Sequence, residues 1–193
     1  MNVRALARVL VLAWTAFVAA PGAARAADVS ETVFLVASER LAGSGYEQTV
    51  LLAAPLPRGG HVGFIVNRPT GMTLAKIFPE HAPSRAVVEP LYFGGPVLPA
   101  GIFAVTRRAP KEAGEVIPLM PGLVAVLDGK TVDQVIETSP NEARYYAGLM
   151  LWEPGELEDE VREGAWQVRQ ASVDAVLGPD SAALWKSLTG EEI

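Results

Sequence analysis

The chain has 193 residues, 16 Lys+Arg against 22 Asp+Glu, two histidines, no cysteine and a formal net charge of −6. That length supports one domain with a core large enough to need no covalent staples. The missing cysteines exclude disulfides, thiol catalysis, iron–sulfur clusters and cysteine-based zinc sites, and His61 and His81 alone leave little for a His-rich metal centre or a proton relay.

The first elements in chain order are those of an export signal. Arg4 and Arg8 precede an uninterrupted apolar run, Val9 to Ala20, and the small-x-small pattern Ala24-Arg25-Ala26 closes it. These are the three regions of a secretory signal peptide, and twelve apolar residues fall short of the roughly 20 that span a bilayer. No twin-arginine pair precedes the run, so the general secretory (Sec-type) route is expected, with cleavage near Ala26 and a periplasmic or secreted product. The predicted organisation is therefore a signal peptide over residues 1–26 and one domain over 27–193. Losing three arginines and no acid takes the net charge from −6 to about −9. Such a charge repels phosphate backbones, so no nucleic-acid partner is expected, and no later segment is long enough to span a membrane.

Residues 33–37 (VFLVA), 48–54 (QTVLLAA) and 61–67 (HVGFIVN) read as strands. The Pro/Gly-rich loop 55–60 predicts that the second and third pair antiparallel. Apolar residues at helical spacing over 70–78, ending before Pro79, predict a short helix. Residues 90–95, 101–106 and 123–127 are strand-like, and Asp128-Gly129 reads as a turn. Thr131 with Gln134 fits a capping box opening a helix through Glu137. Residues 143–152 (ARYYAGLMLW) are the longest apolar-aromatic run and read as a central strand. Residues 154–163 read as a helix, 165–171 as a strand and 180–188 as a terminal helix. Connections too short for βαβ crossovers predict an α+β fold: a largely antiparallel sheet covered by a few short helices.

Chemistry-bearing motifs are sparse. The segment from Gly122 to Thr131 approaches a phosphate-binding loop, but six residues stand between its glycines where four are required, and they are strand material. Gly43-Ser44-Gly45 offers a hydroxyl, with His61 as its conceivable base; that pair defines the alternative of a periplasmic hydrolase, without the Gly-x-Ser-x-Gly elbow. The acids between Glu153 and Glu163 lack calcium-loop spacing and suit a solvated helix face, so no metal is expected. Three turns follow strands: Asn67-Arg68-Pro69, Gly94-Gly95-Pro96 and Trp152-Glu153-Pro154-Gly155. Side by side, they would line a polar concavity with Asn67, Arg68, Gly94, Gly95 and Trp152 as ligand-binding candidates.

The ordered segments Phe34-Leu-Val-Ala37, His61 to Pro69, Tyr92-Phe-Gly-Gly-Pro-Val97, Ala143 to Gly148 with Trp152-Glu-Pro-Gly-Glu-Leu157, and Glu163-Gly-Ala-Trp166 resemble the AlgH/YqgE family over nearly the whole chain after residue 26. The resemblance implies a bifurcated, pseudo-barrel sheet, and it supplies no catalytic residue and no cofactor. Where the family has a Gly-Tyr-Ala-Gly-Trp-like stretch, this chain has Gly148-Leu-Met-Leu-Trp152. Leu151 is expected to narrow a cleft that glycine keeps open. The signal peptide is a second departure, and it turns the regulatory role suggested by the family name away from direct DNA contact. The expected function is a non-enzymatic binding or interaction module for a small anionic ligand or a protein partner.

Overall fold

Nine strands and five short α-helices are built over residues 28–190, the part of the chain that the computed structural model describes. The signal peptide expected over 1–26 lies outside those residues. Strands β1 (Val33–Ala37), β2 (Val50–Pro55) and β3 (His61–Ile65) form an antiparallel meander, with Leu35 opposite Leu51 and Leu51 opposite Ile65. Every residue of β1 and β3 is buried, which is why they read as continuous apolar runs rather than as alternating strands.

The remaining strands are β4 (Tyr92–Phe93), β5 (Val97–Thr106), β6 (Val116–Met120), β7 (Leu123–Val126), β8 (Ala143–Trp152) and β9 (Trp166–Gln170). Their order is β6-β7-β5-β8-β3-β2-β1-β9, with β4 beside β8. One strand carries the branching. Along one edge of β8, residues 143–149 pair with β5; along the other, Tyr146 and Ala147 pair in parallel with β4, while Met150 to Trp152 pair antiparallel with β3. The sheet is thus bifurcated at β8, and it curls into a half-barrel. The Thr32 hydroxyl, just before β1, donates to the Leu119 carbonyl of edge strand β6 and ties the two flanks together.

Three apolar clusters result. Phe34, Leu52, Phe64, Val105, Leu123, Tyr146 and Leu149 fill the half-barrel, plugged by Val176 and Leu184 from the C-terminal helices. Leu35, Leu51, Ile65, Trp152 and Trp166 lie on the opposite face with Leu157. Leu74, Val132, Val135, Ile136 and Tyr145 form the third. Among the described residues no helix is long and apolar enough to cross a membrane.

The helices are α1 (Leu74–Ile77), α2 (Gly129–Thr138), α3 (Glu156–Arg162), α4 (Val173–Leu177) and α5 (Leu184–Thr189). Helix α1 is shorter than the predicted 70–78, because the Thr70 hydroxyl donates to Leu91 O and Thr73 provides the cap. Strand β6 and helix α4 were not predicted. Pro118 sits in β6, where an edge strand tolerates the missing N–H. The Thr131 capping box is corrected: α2 is capped by Asp128, whose carboxylate accepts from Thr131 N at 2.9 Å and from Glu115 N at 2.9 Å. Thr131 lies inside the first turn, and its hydroxyl accepts from Gly114 N.

The hydrogen bonds from Thr131, then that from Glu115, hold the Asp128 carboxyl below its ordinary value of 3.8. A depressed folded pKa contributes stability above the unfolded value, and that contribution is lost as pH falls through the folded one. Asp128→Ala should therefore cost about 1 kcal/mol at neutral pH. The loss should shrink in urea titrations carried out below pH about 3.8.

Candidate functional site

Four of the five residues predicted to line a concavity do meet. Phe93 N donates to Arg68 O at 3.0 Å, Ile65 N donates to Gly94 O at 2.9 Å, and Pro69 bridges Tyr92, so the Asn67-Arg68 turn lies against Gly94-Gly95. The polar side-chain groups of Asn67 and Arg68 are spent on neighbouring backbone. Asn67 Oδ1 accepts from Val50 N at 2.9 Å and its Nδ2 donates to Gln48 O at 2.8 Å. The Arg68 guanidinium donates to Gly45 O at 2.6 Å and to Glu47 O at 2.8 Å, clasping the 42–48 loop. Arg68→Ala should release that loop at a cost of about 1–2 kcal/mol. Faster proteolytic cleavage between residues 42 and 48 would show it.

Trp152 is not with them. It sits at the far end of β8 opposite His61, 4% exposed, with its ring over Gly63: a Cβ on Gly63 would lie 2.8 Å from Trp152 Cζ3. Its indole N–H and that of Trp166 both donate to Glu160 Oε2, at 3.2 and 2.7 Å. Leu151 faces away from this cluster and is exposed.

Ser44 and His61 are also separate. Ser44 lies in the loop held by Arg68, beyond the C-terminal end of β3, whereas His61 opens that strand, roughly 13 Å of strand away at 3.3 Å per residue. His61 is buried, with Nε2 2.9 Å from Val29 O, and the Ser44 hydroxyl donates to Leu41 O. The other histidine does meet a serine: His81 Nδ1 is 2.8 Å from Ser84 Oγ, with Glu137 4.0 Å from its Nε2. Ser84 is 0% exposed, however, so no substrate carbonyl reaches its oxygen.

A polar cleft of about 430 Å³ opens at the N-terminal end of β8, lined by Glu89, Arg107, Asn141, Glu142, Arg144 and Leu177, with Ala143 between Glu142 and Arg144. Arg144, 2% exposed, forms its floor. Its guanidinium donates to Val176 O and, at 2.7 Å, to Gly178 O, and stacks 4.5 Å from the centre of the Tyr92 ring. Its nearest carboxylate among the described residues, Glu89, is 3.9 Å away and also accepts from the Tyr92 hydroxyl at 3.2 Å. Burial pushes the Tyr146 hydroxyl up from its ordinary value, and the neighbouring Arg144 charge opposes that. Asn141 is spent on the wall, accepting from Val88 N and donating to Ala86 O. On the rim, Arg107 pairs with Asp174 at 2.8 Å, the two side chains 50% and 90% exposed. Sequence reasoning missed this site because four separate segments build it; the one signal was an arginine inside an apolar strand. No group of three or more metal-ligating side chains occurs among the described residues.

A curled, bifurcated, largely antiparallel half-barrel plugged by C-terminal helices defines the class of protein. Within that class the chain belongs to the AlgH-like family (DUF179), whose profile matches residues 34–191. A UPF0301 protein of Streptomyces coelicolor is 29% identical over 158 residues, covering 80% of this chain and 82% of its own. One from Chlorobaculum parvum is 31% identical over 158 residues, covering 78% and 80%. The solution structure of the AlgH protein from Pseudomonas aeruginosa superposes with a TM-score of 0.65 at 22% identity, covering 84% of this chain and 94% of that one. A crystal structure from Corynebacterium diphtheriae gives 0.66 at 22%, covering 86% and 88%. At that identity the two structures speak for the fold.

Proposed function

We propose that this AlgH-like protein is an exported, non-enzymatic binding module that holds a small ligand bearing an anionic group in the cleft floored by Arg144. One observation carries the reading: a guanidinium 2% exposed, whose nearest carboxylate among the described residues stands 3.9 Å away, underlies an open polar space that a second arginine rims. A buried cation with one loosely placed counter-charge leaves a positive potential in the adjoining low-dielectric space, where an anion gains more than it would in bulk water. Arg107 supplies the accessible contact, since its bond to the largely exposed Asp174 is readily exchanged. The Asn67-Arg68 and Gly94-Gly95 turns serve this module by fixing β3, β4 and the 42–48 loop. Export rests on the pattern of residues 1–26, and it places the ligand outside the cytoplasm.

Mass spectrometry of the protein purified from its native envelope, with sequencing of its N-terminus, tests both parts. The expected result is a chain starting near residue 27 with a retained small molecule that Arg107→Ala releases. A native chain starting at Met1 would overturn the export reading. A retained molecule that Arg107→Ala leaves in place would overturn the cleft.

A further inference from the structure

The charges around the cleft constrain its ligand further, on the premise that the cleft is the binding site. Two basic side chains, Arg107 and Arg144, line it, and so do two acids, Glu89 and Glu142. Their commitments differ. Arg144 spends two donors on backbone carbonyls, and Glu89 Oε2 accepts from the Tyr92 hydroxyl and lies 3.9 Å from Arg144. Among the described residues, Arg107 stands half exposed in one ion pair, with the largely exposed Asp174, and the exposed Glu142 is in none. The accessible charged residues lining the space are thus Arg107, whose exposed partner Asp174 a ligand carboxylate can replace, and Glu142.

An inorganic anion drawn to Arg107 meets the uncompensated Glu142, and a simple cation drawn to Glu142 meets Arg107 above the buried charge of Arg144. Each is repelled by half of the wall. A ligand with both charges satisfies both halves. A volume of about 430 Å³ falls in the usual range for small-molecule sites, and Leu177 and Ala143 add apolar lining to it. We infer that the ligand is zwitterionic, with an ammonium group on the Glu142 side and a carboxylate on the Arg107 side, as in a short peptide with free termini.

Titration of the full-length protein by NMR tests this with four probes: L-alanyl-L-alanine, its N-acetyl derivative, its C-terminal amide and inorganic phosphate. The free dipeptide should shift the resonances of Arg107, Glu142 and Leu177, and blocking either terminus should weaken binding at least about tenfold. Glu142→Gln should erase the distinction between free and acetylated dipeptide, and Arg107→Gln that between free and amidated. Both residues are on the surface, so the variants fold. Equal binding of the acetylated dipeptide or of phosphate would overturn the zwitterion while leaving an anion-binding cleft. No shift at those residues with any probe would overturn it as well. A native ligand bound at another surface would bring down the cleft reading with it.

Discussion

Replacing Arg144 with alanine is expected to cost about 3–5 kcal/mol, among the largest losses that one side chain can cause here. The reason is what remains behind. The Val176 and Gly178 carbonyls lose their donors, each worth about 1–3 kcal/mol when buried and unpaired, and the Tyr92 ring loses the cation stacked on it. Both carbonyls belong to the segment that carries α4 towards α5, the pair of helices that plugs the half-barrel with Val176 and Leu184. The loss should therefore be local before it is global, with amide exchange accelerating over residues 173–190 ahead of the strands. Arg144→Met separates the contributions: it restores most of the packing volume but no donor, so it should recover less than half of the loss in urea unfolding. Arg144→Lys keeps the charge yet lacks the fork that reaches two carbonyls, and it should fall between the other two. Full recovery in Arg144→Met would mean that volume, not hydrogen bonding, anchors the helices.

Arg144 also marks what the sequence could and could not disclose. The apolar pattern ends its strand at Ala143 and Trp152, and β1 at Val33 and Ala37, because continuous apolar runs bounded by turn residues leave little freedom in where a buried strand stops. The antiparallel pairing of β2 with β3 followed from the short Pro/Gly loop. The Glu153-Pro154-Gly155 turn beside Trp152 predicts a place with the other turns that the structure does not give it. Strand parity decides instead: Trp152 shares a face with Met150, and that face packs against Leu157 and Trp166. Helix α4 spans five residues, too few for periodicity to show. The polar cleft draws on residues 89, 107, 141–144 and 177, which the bifurcation at β8 and the docking of α4 on Arg144 bring together. Local patterns report local geometry, so a site assembled by a crossing of strands leaves a single trace, one charge where an apolar residue would be expected.

That crossing is the subject of the second large effect. Gly94→Ala should destabilise the fold by about 3 kcal/mol, the upper end of the cost of overpacking. Gly94 bridges the two branches: its N–H donates to Ala147 O at 2.8 Å on β8, and its carbonyl accepts from Ile65 N at 2.9 Å at the end of β3. A Cβ there would overlap the Gly148 carbonyl oxygen and stand 2.9 Å from the Tyr146 Cβ, so the strands must part or the two hydrogen bonds break. The facing residue is constrained in the same way, since a Cβ on Gly148, at φ +71°, would overlap the Gly95 carbonyl. Two other glycines isolate the cause. Gly122 has φ +78° with nothing near an added Cβ, so its alanine variant carries only the left-handed backbone cost of about 1–2 kcal/mol. Gly71 has neither positive φ nor a neighbour, and its alanine variant should be neutral or slightly stabilising. The expected order of loss in thermal or urea unfolding is Gly94 first, Gly122 second and Gly71 last. If Gly94→Ala proved no worse than Gly122→Ala, the strands at the bifurcation would have room to spare, and the close approach that shapes the half-barrel would not be what fixes glycine at that position.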